Sequence, residues 1–405
     1  MCGPEGKPVS VRASGPLDGV RVLELATMVA GPMCTQVLAD QGADVVKIEP
    51  PGGDLLRAIG CSRAGVSAVF ASINRGKRSV VLDLTRARGR DVLARLAARC
   101  DVVVDNFRPG VAARLGAAPE DLATNPRGTV SLSIRGFGSD GPYAGRRVYD
   151  AVIQALSGMA AAQGHGTGRG PELVRTIVCD KVTALYGAQA IAAALFARER
   201  GRGSQHIELS MLDAAVAFLW PDVMQEHTYL GDGVTRPAPL HAILSAHPTR
   251  DGHVAVMAIS DAEFEGLARV LGRPELTGDA RFATVATRME HSEELAAIVV
   301  AHAAEQDTAP LVERLLDEGV PAAPVNEPAD VHADPQVVAN RTLADVDDAD
   351  LGRVRVARAA ARFDQVVPEP GARVPALGAD TGAVLGELGI EEHERAALGE
   401  DGALG

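Results

Sequence analysis

Residues 20–49 read VRVLELATMVAGPMCTQVLADQGADVVKIE. The run Val20-Arg21-Val22-Leu23-Glu24-Leu25 mixes β-branched and apolar residues, the composition of a buried strand. Gly31-Pro32 then opens a stretch of helix-compatible residues that ends at Gly42, because proline is tolerated in a first helical turn and glycine terminates a helix. Asp44-Val45-Val46-Lys47-Ile48-Glu49 reads as a second strand. The segment is therefore a β-α-β unit, the crossover that parallel neighbours require. The rhythm recurs downstream. Ser79 to Leu84 predicts a strand, Arg86 to Arg99 a helix with Leu93, Leu96 and Ala97 on one face, and Asp101-Val102-Val103-Val104 and Thr129 to Ile134 two more strands. Strands alternating with helices predict an α/β fold, Rossmann-like, with a mostly parallel sheet covered on both faces.

Beyond this region a helix is predicted from Tyr149 to Gly158, then a glycine-rich loop from Gly164 to Gly170, then a long Ala-rich helix from Lys181 to Arg200 that ends at Gly201 and Gly203. After the aromatic and Pro-rich passage Trp220 to Pro239, Gly252 to Val256 reads as a strand and Ala262 to Leu271 as a helix. The predicted organisation is a flexible N-terminus (1–15), a large Rossmann-like domain (16–215), a linker (216–235) and a smaller α/β domain (236–320). A C-terminal segment (321–405), with a strand Arg353 to Val356, is expected to return to the large domain.

Composition narrows the function. At 405 residues the chain has room for two or three domains. Lys and Arg number 40 against 53 Asp and Glu, a formal charge of −13 and the wrong sign for gripping nucleic acid or anionic lipid. A polyanionic ligand must be met by a local basic cluster. With 46% hydrophobic and 23% charged residues the mixture is that of a globular protein. Cys2, Cys34, Cys61, Cys100 and Cys179 are widely spaced without a C-x-x-C pair, which argues against a disulfide framework or zinc knuckle. A reducing compartment follows, and with no export-type apolar core near the start and no run of about 18 apolar residues, a cytoplasmic protein without a membrane partner is expected.

The familiar fingerprints are missing. The first β–α turn, Ala26-Thr27-Met28-Val29-Ala30-Gly31, has one glycine where G-x-G-x-x-G needs three, which disfavours a nicotinamide cofactor. Gly76-Lys77-Arg78 is not a P-loop, there is no G-x-S-x-G elbow, and His241, His247 and His253 read as loop histidines rather than metal ligands. What stands out are basic clusters: Asn74 to Arg78 before a strand, Asn106-Phe107-Arg108-Pro109-Gly110 with Arg114 after one, and Arg135-Gly136-Phe137-Gly138 after another. Each alone fits a solvated loop. Together they suggest a phosphate-bearing ligand with a flat ring, since guanidinium groups grip phosphate and stack on aromatic faces. Asp180, at the entrance of the long helix, reads either as an N-cap or as a nucleophile kept ionised by the helix end.

Several runs resemble those of one family, the class III CoA-transferases, which include formyl-CoA and carnitine CoA-transferases and α-methylacyl-CoA racemases. They are Pro16 to Leu25, Ala30-Gly31-Pro32, Gly42 to Glu49, Asn74 to Leu84, Asp105 to Gly110, Gly201 to Asp213, Arg281 to Thr284, Gly319 to Val325 and Asp334 to Val337. The resemblance implies an interlocked homodimer, coenzyme A thioesters as substrates with no permanently bound cofactor or metal, and an acyl-CoA donor with a carboxylic-acid acceptor. It implies that Asp180 is the nucleophile. It further implies CoA contacts at Val29, Ala30, Leu82, Asp83, Leu84, Thr85, Asn106, Phe107, Arg108, Arg114, Arg135, Gly136, Phe137 and Gly138.

The departures from the family pattern are informative. Val29 replaces a glutamine that often contacts the acyl group, Pro50 replaces a basic residue, and His241 to His247 lacks the glycine-rich loop of formyl-CoA transferase, so formyl or oxalate specificity is not expected. Arg175 and His165 are candidates to hold a second substrate carboxylate. The racemase branch needs a histidine where this chain has Tyr149, and no histidine lies between 102 and 164, which favours transfer over racemisation. A non-catalytic CoA-binding protein, with Asp180 only a helix cap, is the remaining alternative.

Overall fold

The computed structural model describes residues 15–164, 170–234, 244–366, 369–371 and 373–404. The segment 1–14, His165, and His241 with Ala242 and Ile243 lie outside them. Two compact units are present: one from 1–157, 174–216 and 335–405, the other from 158–173 and 217–334. Residues 217–234 of the segment read from sequence as a linker, and the first residues of the C-terminal segment, 321–334, fall within the second unit.

The first unit is built on six strands: β1 (Arg21–Glu24), β2 (Asp44–Glu49), β3 (Arg78–Val81), β4 (Val102–Asp105), β5 (Val130–Arg135) and β6 (Gln205–Ser210). Every pairing is parallel and the order is β3-β2-β1-β4-β5-β6. This is the doubly wound order, and its topological switch point lies between β1 and β4, where such sheets leave a crevice beyond the strand ends. The sixth strand has no continuous apolar run and is not among the strands expected from sequence; from Gln205 to Leu209 its residues alternate between half-buried and exposed, as at a sheet edge.

Of the crossover helices, α1 (Ala30–Asp40) is buried over most of its circumference, whereas in α2 (Ala87–Ala97) the apolar residues recur on one face, burying Val92, Leu93, Leu96 and Ala97. Each large side chain so buried contributes roughly 1.5–3 kcal/mol. They join one core with Leu23, Val46, Val80, Leu82 and Val103 of the sheet and with Val384, Leu385, Ile390 and Leu398 of the C-terminal segment. Gly31 is required where α1 leaves β1, because a Cβ there would lie 2.2 Å from Ala26 Cβ. Two further helices complete the site: α3 (Asp150–Leu156) and the twenty-residue α4 (Val178–Ala197). The second unit has a three-stranded antiparallel sheet with His253–Val256 between Ala246–Pro248 and Ala322–Pro324. Its core gathers Val254, Phe264, Leu267, Phe282, Leu311 and Leu315.

Candidate active site

Four strand ends meet at one cleft in the first unit, about 510 Å³ in volume. The turn after β1 contributes Thr27 to Ala30, the loop after β4 Asn106 to Pro109, β5 and its loop Ile134 to Gly136, and the residue after β6, Met211. Ala144, Arg146, Arg147, Val148, Tyr149 and Asp180 close it. The cleft is therefore at the switch point that the strand order creates.

Asp180 is not the N-cap anticipated as one reading of the sequence. The helix α4 begins three residues earlier than expected, its N-cap is Ile177 with no side-chain cap, and Asp180 stands in the first turn. The capping duty falls to another residue: the Asp150 carboxylate, at the start of α3, accepts the Asp180 backbone N–H at 3.0 Å. Gln154 Nε2 in turn donates to the other Asp150 oxygen at 2.5 Å and to the carbonyl oxygens of Val174 and Thr176 at 3.2 and 3.1 Å. The Asp180 side chain thus stands in the first turn of α4 without capping it. It receives instead the backbone N–H of Ala30, the first residue of α1.

The electrostatics follow from that placement. Burial first, and then the charge of Asp150, push the Asp180 carboxyl from 3.8 up to about 6, while the Ala30 N–H opposes the rise. At pH 7 such a group is still about nine-tenths ionised. It is more basic than an ordinary aspartate, hence a stronger nucleophile, and the positive ends of two helices lie against it. The adjacent Cys179 is no competitor, because burial pushes its thiol up to about 12.

Of the residues carried by the resemblance, Val29, Ala30, Asn106, Phe107, Arg108, Arg135, Gly136 and Asp180 line this cleft. The others do not. Leu82 is buried in the core, and Asp83, Leu84 and Thr85 form the turn after β3, where the Asp83 carboxylate accepts the Thr85 N–H at 2.9 Å. Arg114 ends the short helix Val111–Arg114 and is exposed. Phe137 packs edge-on against Tyr143 at 5.6 Å, and Gly138 follows it. Arg135 is committed to Asp105 at 2.7 Å. Arg175 is exposed and is not among the cleft residues.

The Asn74 to Arg78 cluster is corrected by the structure. Arg75 pairs with Asp40 at 2.7 Å, Arg78 with Asp44 at 2.7 Å, and Lys77 is wholly buried on Glu24 at 2.8 Å. These cations are spent inside the protein. Arg146 and Arg147, which sequence reading passed over, do line the cleft, and Arg146 stacks on the Tyr143 ring at 3.9 Å. Among the described residues, Arg108 and Arg147 make no ion pair and stay available to an anion. The described residues hold no cluster of three His, Cys, Asp or Glu side chains able to bind a metal, and no helix long and apolar enough to cross a membrane.

A family model, CoA-transferase family III, matches residues 17–381. The chain is 34% identical over 389 residues to a succinyl-CoA:mesaconate CoA-transferase of Haloarcula hispanica, covering 93% of this chain and 97% of that one. It is 35% identical over 396 residues to a succinate–glutarate CoA-transferase of Agrobacterium fabrum, with 94% and 97% covered. A crystal structure of a CaiB/BaiF family protein from Brucella suis superposes with a TM-score of 0.79 at 35% identity, covering 92% of this chain and 99% of that one. A parallel α/β sheet with a cleft at its switch point and full-length similarity to such enzymes lead to one assignment: the chain is a CoA-transferase of family III.

Proposed function

We propose that the enzyme moves CoA from an acyl-CoA donor to a carboxylic acid, with Asp180 as the nucleophile. The observation that carries this reading is the Asp180 carboxylate itself, half-buried, raised to about 6 by desolvation and set between the first turns of α1 and α4 in the cleft. Its oxygen attacks the thioester carbonyl, the C–S bond breaks, and CoA thiolate leaves an acyl-aspartyl anhydride. The thiolate then attacks the aspartyl carbonyl carbon and expels the donor acid, giving an aspartyl-CoA thioester. The acceptor carboxylate attacks that thioester and releases thiolate, which takes the acceptor acyl group and frees Asp180. One thioester is exchanged for another, so the cycle needs no energy input and no net proton transfer. The α1 and α4 ends favour the negative charge carried by each oxygen in turn.

Arg108, with Phe107 and the glycines Gly136 and Gly138, is proposed to hold the phosphates and ring of CoA, and Arg135, whose Nη1 is taken by Asp105, is proposed to reach them through its other N–H groups. Arg114 and Leu82 to Thr85 are assigned to its far end: β3 lies two strands, roughly 10 Å, from β1, within reach of an extended CoA. The relatives named for succinyl-CoA with mesaconate and for succinate with glutarate suggest a dicarboxylate acyl group, and Arg146 and Arg147 offer cations for its second carboxylate. Succinyl-CoA as donor and a five-carbon dicarboxylic acid as acceptor are therefore the first pair to test. The exposed apolar residues Leu185, Tyr186 and Phe196 along α4 support the homodimer, since a helix apolar on its outer face needs a partner. Tyr149 in the cleft, where a racemase places histidine, speaks against α-proton exchange.

The test is transfer between succinyl-CoA and mesaconate or glutarate by wild type and Asp180→Ala. Loss of transfer with retained CoA binding is expected. Undiminished transfer in the variant would remove Asp180 from the chemistry.

A further inference from the structure

The turn after β1 leads into α1, whose first residue, Ala30, lines the cleft together with Asp180, and the turn's backbone is gripped at three successive residues by side chains from distant positions. Lys47 Nζ, on β2, donates to the Ala26 carbonyl oxygen at 2.8 Å. The Asn106 amide pairs with Thr27 in both directions, its Oδ1 accepting the Thr27 N–H at 3.0 Å and its Nδ2 donating to the Thr27 carbonyl oxygen at 2.7 Å. The Asp54 carboxylate accepts the Met28 N–H at 3.2 Å to each oxygen. Met28 itself has φ of 66°, a left-handed conformation that a methionine rarely adopts.

Asp54 is in turn immobilised. Its side chain is fully buried, pairs with Lys47 at 3.0 Å and accepts the Leu56 N–H at 3.0 Å, while its own N–H donates to Glu49 at 3.0 Å. Lys47 is anchored by Glu24, its register partner on β1, at 2.7 Å. The Asp54 oxygens are thus committed to Met28, Leu56 and Lys47, and the residue is not among those lining the cleft. A side chain so placed acts on the backbone. A strained conformer persists only where its surroundings over-determine it, and here the linked pair Lys47–Asp54 and, separately, Asn106 do so beside the reacting group.

We propose that Asp54 and Asn106 are positioning residues of the transfer reaction, which lock Met28 in its left-handed conformation and so aim the Ala30 N–H at the Asp180 carboxylate. The inference rests on Asp180 as the nucleophile. Without the clamp Met28 relaxes to negative φ and the Ala30 N–H withdraws, which removes the hydrogen bond that favours the charged carboxylate. Arg108, Arg146 and Arg147 lie outside that turn, so ground-state binding of the thioester is expected to change less than turnover.

The test compares wild type with Asp54→Asn, Met28→Val, Met28→Gly, the double variant Asp54→Asn/Met28→Gly, and Asp180→Ala, each first shown to unfold cooperatively. Valine makes positive φ costlier and glycine makes it free, with the Asp54 network untouched. Asp54→Asn and Met28→Val are each expected to lose about tenfold or more in kcat while KM for succinyl-CoA changes by less than about threefold. The acid limb of kcat moves up by about half a pH unit or more in both, a change that mere destabilisation would not produce. Met28→Gly is expected to turn over about tenfold faster than Met28→Val, and to recover about threefold or more of the loss when added to Asp54→Asn. Should Asp54→Asn fail to fold, the valine–glycine pair decides by the same readouts. Near-wild-type kcat and an unmoved acid limb in the folded variants, with Asp180→Ala inactive, would overturn the clamp and leave the nucleophile standing. An active Asp180→Ala would overturn both.

Discussion

Replacing Asp180 by asparagine should make the protein more stable while destroying its activity. The folded structure holds this carboxyl at about 6 against 3.8 for an ordinary aspartate, chiefly because burial disfavours its charge. Holding it ionised at neutral pH therefore costs about 3 kcal/mol of folding stability. The sign follows from proton binding. Between the two values the folded state binds more protons at this site than the unfolded one, so the contribution of Asp180 to stability falls as pH rises from about 4 and levels off above about 7. Asparagine keeps the shape and can still accept the Ala30 N–H through its amide oxygen, but carries no charge to desolvate. The variant's advantage in unfolding free energy should be about 1 kcal/mol at pH 4.5 and about 3 kcal/mol at pH 7. Urea denaturation of both proteins at several pH values measures it. An advantage that stays constant with pH, or a variant less stable than wild type at pH 8, would refute the claim that this carboxylate is held at an energetic cost.

Other outcomes follow from the same geometry. Asp150→Asn keeps an acceptor for the Asp180 N–H but removes the neighbouring charge, so the acid limb of kcat/KM should fall from near 6 by about half to one pH unit; an unmoved limb would contradict the coupling. Gly31→Ala places a methyl 2.2 Å from Ala26 Cβ and should cost about 1–3 kcal/mol in urea denaturation, together with kcat. Arg108→Ala should raise KM for succinyl-CoA about tenfold, most at low salt, and leave KM for a pantetheine thioester, which lacks the nucleotide phosphates, unchanged.

The sheet was legible because parallel strands buried on both faces are continuous apolar runs, as in Val102-Val103-Val104, whereas β6 with its alternating Gln205-His206-Ile207-Glu208 belongs to an edge and carries no such signal. Asp180 could be singled out by its place at a helix entrance, but not its environment. That depends on Asp150, thirty residues earlier, and on α1 meeting α4, contacts that spacing along the chain does not encode. The basic cluster at Asn74 to Arg78 misled for a related reason. Lysine and arginine are rarely buried, so a run of them reads as a surface for anions, yet Glu24, Asp40 and Asp44 had already claimed these three. Arg146 and Arg147 reached the cleft unannounced because no strand precedes them directly. Met28 shows the limit most sharply: nothing in its side chain signals a left-handed backbone, which arises only from what Asp54, Asn106 and Lys47 do to the turn.

The central claim is a covalent aspartyl intermediate, and trapping it tests that claim most directly. Incubation with succinyl-CoA, a hydroxylamine quench and peptide mass spectrometry should convert the Asp180 side chain, and no other carboxylate, to a hydroxamate, with the label absent when CoA thioester is omitted. An enzyme that transfers CoA at full rate while its Asp180 peptide stays unmodified, or that carries the hydroxamate on a different residue, would contradict the account.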